Sequence, residues 1–112
     1  MAWTIEDALN DENLDDVERT QRGYSFRLKG ISTTIHVVLY VNAQKGGFNF
    51  HLSHLIKAPG QATVYTPNGL RGEYEAYTLH SAISALTAFY SVAVKEGHEP
   101  SESWLVENDK GI

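Results

Sequence analysis

The sequence predicts an α+β fold in which a four-stranded antiparallel meander packs on one long helix. Between Tyr24 and Thr66, apolar and polar residues alternate with the period of two that is typical of strands. From Ala76 to Val94 no residue carries a formal charge, and apolar residues recur with the helical period of 3.6. Because the chain has 112 residues, we expect one domain spanning 1–112.

The predicted domain has four consecutive parts. They are an acidic helical arm (1–22), the antiparallel sheet (23–66), the long helix (73–97) and a short C-terminal clip (98–112). In the arm, Thr4 is a predicted N-cap, and Asp7 completes an approximate capping box. A second helical turn is predicted from Asn13 to Val17, so the core order is β-β-β-β-α after a short α arm.

The four predicted strands cover 23–29, 32–42, 48–56 and 62–66. The glycines of segment 43–47 favour a turn between the second and third strands. Pro59 and Gly60 occupy the central positions of a predicted type II turn before the fourth strand, and a further turn is predicted at 66–69.

The long helix carries more apolar surface than one sheet covers. Its bulky face consists of Leu79, Ile83, Leu86, Tyr90 and Ala93, with Ala82 and Phe89 beside it. Small residues form a further stripe. Lys95 in the last turn, Gly97 at C′ and Pro100 beyond it predict the end of the helix. Ser101 is expected to cap a last short turn that carries Trp104 and Val106.

Composition excludes several classes of protein. The chain has no cysteine, which rules out disulfides and thiol catalysis and suits a reducing compartment, so we expect a cytoplasmic protein. No basic segment followed by an apolar run opens the sequence, so we expect no signal peptide. Six of the 19 residues from Ala76 to Val94 are Ser, Thr or His, which argues against a membrane span.

Neither catalysis nor metal binding is expected. The sequence contains no G-x-S-x-G elbow, no P-loop and no G-x-G-x-x-G motif. His51 and His54 lie three residues apart on a predicted strand, which directs them to opposite faces. His54 could approach His80, but residues 19–72 contain no carboxylate that would complete a site. We therefore expect no catalytic residues, no metal and no cofactor.

Charge divides the chain into three blocks. The net charge is −7 over residues 1–18, +7 over 19–72 and −5 over 73–112. One interpretation is that the acidic arm and tail dock beside the basic sheet and neutralise it. The alternative is that the outer sheet face binds single-stranded nucleic acid, with cations on phosphates and rings under bases. The residues of that alternative face are Arg27, Lys29, His36, Tyr40, His51 and Lys57.

The order of four strands followed by a helix, across residues 23–97, is similar to that of the Whirly and Pur-type single-strand binders. The likeness is one of element order and includes no shared motif. It implies a nucleic-acid partner for the sheet, which is the alternative function.

The first hypothesis is instead a non-catalytic protein-interaction or regulatory domain that self-associates through its long helix. Small residues on a helix permit close approach by a partner helix, and tyrosines nearby supply anchors. The expected interface comprises Tyr74, Tyr77, Ser81, Ala85, Ala88 and Val92. Two questions stay open at this point: whether Trp104–Val106 covers this stripe within one chain, and whether the acidic segment Glu6–Glu18 is a second contact.

Overall fold

The computed structural model describes residues 4–44, 46–64 and 74–108. Its elements are α1 (Ile5–Leu9), β1 (Leu14–Arg19), β2 (Gly23–Leu28), β3 (Ile35–Val41), β4 (Phe48–Leu52), β5 (His54–Ile56), α2 (Glu75–Lys95), a 3₁₀ turn (Glu102–Trp104) and β6 (Leu105–Glu107). Strands β1 to β4 form one antiparallel sheet in sequence order, and β5 pairs with β6 in a second. The predicted α+β class, with a four-stranded antiparallel sheet against a long helix, is confirmed.

Strand β1 replaces the helical turn that was predicted from Asn13 to Val17, so that prediction was wrong. Leu14 pairs with Leu28, and Arg19 pairs with Tyr24. Only Leu14 of this strand is buried, and the register shifts near Asp16, whose φ is +50°. This irregularity breaks the alternation of apolar and polar residues by which a strand is recognised in a sequence. The segment becomes extended because it pairs with the edge of β2. The rest of the arm agrees with prediction, since Thr4 and Asp7 form a capping box at α1.

The fourth strand of the sheet therefore comes from the arm, as β1. Residues 62–64 are not in a strand, and residues 65–66 lie outside the described part of the chain, as does the turn predicted at 66–69. The type II turn before them is confirmed, because Gly60 has φ +94° and the Gln61 N–H donates to the Ala58 carbonyl over 3.1 Å.

The predicted third strand is divided at Ser53 into β4 and β5. Ser53 still donates its N–H to the His36 carbonyl over 2.9 Å, but it is the last such contact with β3. From His54 onward the chain pairs with β6 instead. The second predicted strand is shorter than expected and begins at Ile35, not Ser32.

Helix α2 runs from Glu75 to Lys95, within the predicted range of 73–97. It ends in a Schellman motif, in which the His98 N–H donates to the Ala93 carbonyl and the Gly97 N–H to the Val94 carbonyl. Gly97 has φ +92°, a conformation that a residue with a Cβ adopts at a cost, which explains a glycine at C′. The predicted C-terminus is thus confirmed.

The core lies between one face of the sheet and the bulky side of α2. The sheet contributes Tyr24, Phe26, Leu28, Ile35, Val37, Phe50 and Leu52, and the helix contributes Leu79, Ala82, Ile83, Leu86, Tyr90 and Ala93. Removing this much apolar surface from water is the main term that holds the two layers together.

The C-terminal clip closes one end of this core. Ser101 caps the 3₁₀ turn as predicted, and Trp104 is buried with its ring edge toward Tyr90, at a centroid distance of 6.0 Å and an interplanar angle of 66°. The Trp104 carbonyl accepts from the Lys57 N–H over 2.7 Å. The following residues, Leu105–Glu107, form β6 instead of continuing a helical turn.

Candidate interaction surface on the long helix

The side of α2 that faces away from the sheet carries large exposed side chains. Tyr74 is 64% exposed, Tyr77 48% and Val92 55%. The opposite side of the same helix is buried to 0–1% at Leu79, Ile83 and Leu86. The helix therefore has a second, partly apolar face that no described element covers, in addition to the face that makes the core.

Small residues occupy the middle of this exposed face. Ala88 is exposed, and Ser81, Ser84 and Ser91 are half-buried. Lys95 completes the row at the C-terminal end, and it is also exposed. We name the set Tyr77, Ser81, Ser84, Ala88, Ser91 and Lys95 the α2 seam; its members follow one another at intervals of four and three residues.

The seam shares Tyr77, Ser81 and Ala88 with the predicted interface and differs from it at the other positions. Ala85 is only 9% exposed and belongs to the core cluster, so it is not part of the free surface. Ser84, Ser91 and Lys95 were not in the predicted interface, although their spacing from Tyr77 was visible in the sequence. Ala85 and Thr87 are both buried and lie about 200° apart around the helix, so buried residues border the seam on either side.

The described part of the C-terminal clip, residues 98–108, leaves Tyr77 and Ala88 of the α2 seam exposed. Trp104 packs against Tyr90, which lies on the core side of the helix, and the residues after it pair with β5. Helix α1 also packs on α2, at a side where Asp7, Ala8 and His80 border one cavity. Both elements leave Tyr77, Ala88 and Val92 exposed. In the described part of the chain, Trp104–Val106 therefore do not cover these three residues.

The outer face of the sheet holds four residues of the nucleic-acid alternative together with acids, and the four are Arg27, His36, Tyr40 and His51. Register places Asp15 beside Arg27 and Glu18 beside Ser25. The Arg27 Nε donates to Asp16 over 2.6 Å, and the Arg27 Nη1 donates to the Ile31 carbonyl over 3.0 Å. Residues 19–72 contain no carboxylate, but the strand made by the arm brings carboxylates next to Arg27 on this face.

The remaining residues of that alternative are not all on one surface. His36, Tyr40 and His51 do lie on the outer face, where His36 pairs with Ser25 and His51 with Val38. Lys29 lies in the turn after β2, and Lys57 follows β5. The four-stranded sheet thus brings three of the predicted six onto the face that carries Arg27, and the two lysines lie outside its strands.

The histidines do not converge. The His54 Nδ1 lies 2.8 Å from the Ser53 hydroxyl, the His51 Nε2 lies 3.5 Å from the Asn108 amide, and His80 lies near α1. Across residues 4–44, 46–64 and 74–108 no three His, Asp or Glu side chains are grouped so as to hold a metal ion. Over the same residues no helix has both the length and the apolar character needed to cross a membrane.

The chain was compared with protein-family models, with curated proteins and with solved structures, and none of the three comparisons gave a match.

Proposed function

We propose that this chain is a non-catalytic protein-interaction domain of the cytoplasm that self-associates through the exposed face of α2. The observation that carries the proposal is the exposure of Tyr74, Tyr77 and Val92 along one side of a helix whose other side is fully buried. These exposed large side chains support a contact with another protein. Tyrosines are also among the side chains that anchor such contacts.

The middle of the α2 seam supports a helix as the partner element. Ser81, Ser84, Ala88 and Ser91 have small side chains, so a second backbone can approach closely over these positions. A second copy of the chain presents the same small residues and the same flanking tyrosines. A two-fold arrangement is then the simplest closed assembly, because one patch serves both copies.

The absence of acid on α2 between Glu75 and Lys95 supports the same proposal. A surface rich in charge stays hydrated, whereas this face has hydroxyls and methyl groups with one lysine at its end. The sheet face is a weaker candidate, since its best-placed cation, Arg27, already has a carboxylate partner in Asp16.

The test replaces Ala88 with glutamate, which puts a charge in the middle of the seam at an exposed position. Light scattering should then show a dimer for the wild type and a monomer for Ala88→Glu. Val41→Glu is the matched control, because Val41 is 67% exposed but lies on β3, away from the helix. Circular dichroism checks that both variants remain folded. Dimerisation of Ala88→Glu to the same extent as the wild type would overturn the proposal.

A further inference from the structure

We propose that a cleft at one end of the four-stranded sheet binds a small aromatic carboxylate, whose carboxylate group contacts the guanidinium groups of Arg19 and Arg22. The cleft lies between the turn that joins β1 to β2, the strands β3 and β4, and Glu75 at the start of α2. This ligand site goes beyond the proposed self-association and does not depend on it.

The turn between β1 and β2 fixes one side of the cleft. The Thr20 N–H donates to the Gly23 carbonyl over 2.9 Å, and the Gly23 N–H donates to the Thr20 hydroxyl over 3.1 Å. The Arg22 carbonyl accepts from the Leu39 N–H over 3.0 Å, which attaches the turn to β3. A Cβ atom at Gly23 would lie 2.0 Å from the Val37 carbonyl oxygen, so glycine is what permits this close approach. The backbone that carries Arg22 is therefore in place before a ligand binds, which lowers the free-energy cost of ordering the site.

Strand pairing places Arg19 on the inner face of the sheet, the face that packs on α2. Arg19 pairs with Tyr24, and Tyr24 pairs with Val37. Tyr24 and Val37 are both buried in the core, and paired residues share a face, so Arg19 lies on the inner face as well. Leu39 and Val41 follow Val37 at intervals of two residues and lie on the same face.

The described residues leave this end of the inner face partly uncovered. Val41 is 67% exposed, and Leu39 and Phe48 are half-buried. These side chains and the Tyr24 ring give the cleft an apolar floor. The cleft has a volume of about 170 Å³, and a cavity of about 150 Å³ is enough to hold one benzene molecule. The space thus suits one aromatic ring, whereas sites for larger ligands measure about 300–1,000 Å³.

The two arginines of the cleft have no carboxylate partner among the described residues. Arg27 is paired with Asp16, but no ion pair joins Arg19 or Arg22 to a described carboxylate. The guanidinium carbon of Arg19 lies 5.9 Å from the centroid of the Tyr24 ring, a cation–π contact that holds this side chain against the cleft. Because the planar guanidinium group presents paired N–H donors, it matches the two oxygens of a carboxylate.

Glu75 limits the charge of the ligand. Two guanidinium groups and the one Glu75 carboxylate leave the cleft with a net charge of about +1. A carboxylate brings a single negative charge, whereas a phosphate ester brings about −1.5 to −2 at neutral pH. The balance of charge therefore favours a carboxylate over a phosphate ester.

The experiment titrates benzoate into the ¹⁵N-labelled protein at constant ionic strength and follows the backbone amide signals. We expect saturable shifts at Arg22, Gly23 and Leu39. Arg19→Gln and Arg22→Gln should each weaken binding about tenfold, because each removes a charge-assisted hydrogen bond. Lys29→Gln is the matched control: Lys29 is an exposed cation at the opposite end of β2, about 20 Å from Gly23, and its replacement should leave the affinity unchanged.

Two further ligands separate the parts of the proposal. Benzamide has the same ring without the charge, and inorganic phosphate has charge without the ring, so both should bind more weakly than benzoate. Benzamide or phosphate that binds as tightly as benzoate would overturn the proposal. So would the absence of saturable shifts with benzoate, or undiminished binding by both arginine variants, whose amide spectra also show whether they are folded.

Discussion

The Asp16 carboxylate lies 2.6 Å from the Nε atom of Arg27, and this contact joins the acidic first segment of the chain to its basic middle. Asp16 belongs to β1 and Arg27 to β2, so the ion pair forms when the arm adds a strand to the sheet. The interpretation in which the acidic arm docks beside the basic sheet is confirmed at this pair. It bears on function, because it lowers the positive charge of the outer sheet face.

Replacing Asp16 with asparagine should destabilise the fold only slightly. The Asp16 side chain is 69% exposed, and exposed ion pairs contribute about 1 kcal/mol or less to the free energy of unfolding. Asparagine also tolerates the positive φ of this position, so no backbone strain is added. Urea denaturation of both proteins at low and high salt gives the difference. A loss of several kcal/mol would show that the pair holds the strand in place.

The Trp104 ring should contribute far more to the free energy of unfolding than the ion pair of Asp16 and Arg27. It is 5% exposed and packs edge-on against Tyr90, so Trp104→Ala leaves a cavity and is expected to cost about 3–5 kcal/mol. Val106→Ala is the control two residues away, at a side chain that is 38% exposed, and it should change stability by about 0.5 kcal/mol or less. The measurement is again urea denaturation. Equal effects of the two variants would show that the clip is not part of the core.

Stability should fall at alkaline pH, partly through Tyr90. Burial raises the pKa of the Tyr90 phenol above 10.0, and nearby Asp15 adds to the shift. Because the pKa of this phenol is higher in the folded state than in the unfolded state, the neutral phenol stabilises the fold. This contribution is present in full below about pH 10. That contribution is lost as the pH rises through the folded-state pKa. Burial also raises the pKa of Tyr24, where Arg19 opposes the shift and Glu75 adds to it, so a residual decline is expected without Tyr90.

The variant Tyr90→Phe tests this assignment. It removes the hydrogen bond from the Tyr90 hydroxyl to the Lys29 carbonyl, which should cost about 0.5–1.5 kcal/mol at neutral pH. It should also make the decline in stability above about pH 10 shallower than in the wild type. Tyr74→Phe, at a ring that is 64% exposed, is the matched control. An unchanged slope in Tyr90→Phe would contradict the role given to this phenol.

Titration with a fluorescent single-stranded oligonucleotide tests the alternative function. Because Asp15, Asp16 and Glu18 line β1 beside Arg27, we expect no binding at low salt. The variant Asp16→Asn serves here as well, since it frees the Arg27 guanidinium without changing the shape of the strand. Binding by the wild type that weakens with added salt would favour a nucleic-acid partner over the proposed one.

The long helix was predictable because its local signals agree. The charge-free segment from Ala76 to Val94 has an apolar face with the 3.6-residue period, which indicates a helix. Lys95 and Gly97 indicate where that helix ends. The alternating strands β2 and β3 were predictable for the same reason. In each case the residues that decide the structure are neighbours in the sequence.

Strand β1 and the break at Ser53 were not predictable in this way. Only Leu14 of β1 is buried, and the irregularity at Asp16 removes the alternation, so the strand depends on the edge that β2 offers. The chain leaves β3 at Ser53 because β6, about fifty residues later, provides another partner. Of the residues predicted on the free face of the helix, Tyr74, Tyr77, Ala88 and Val92 are exposed, Ser81 is half-buried and Ala85 is buried, because burial on a helix flank depends on elements distant in the sequence.

The molar mass of the wild-type protein in solution tests the central claim most directly. Sedimentation equilibrium over a concentration series up to about 1 mM would detect even a contact worth about 4 kcal/mol. We expect the mass to rise with concentration from that of one 12.5 kDa chain toward that of two. A mass that stays at one chain over the whole series would contradict self-association through α2.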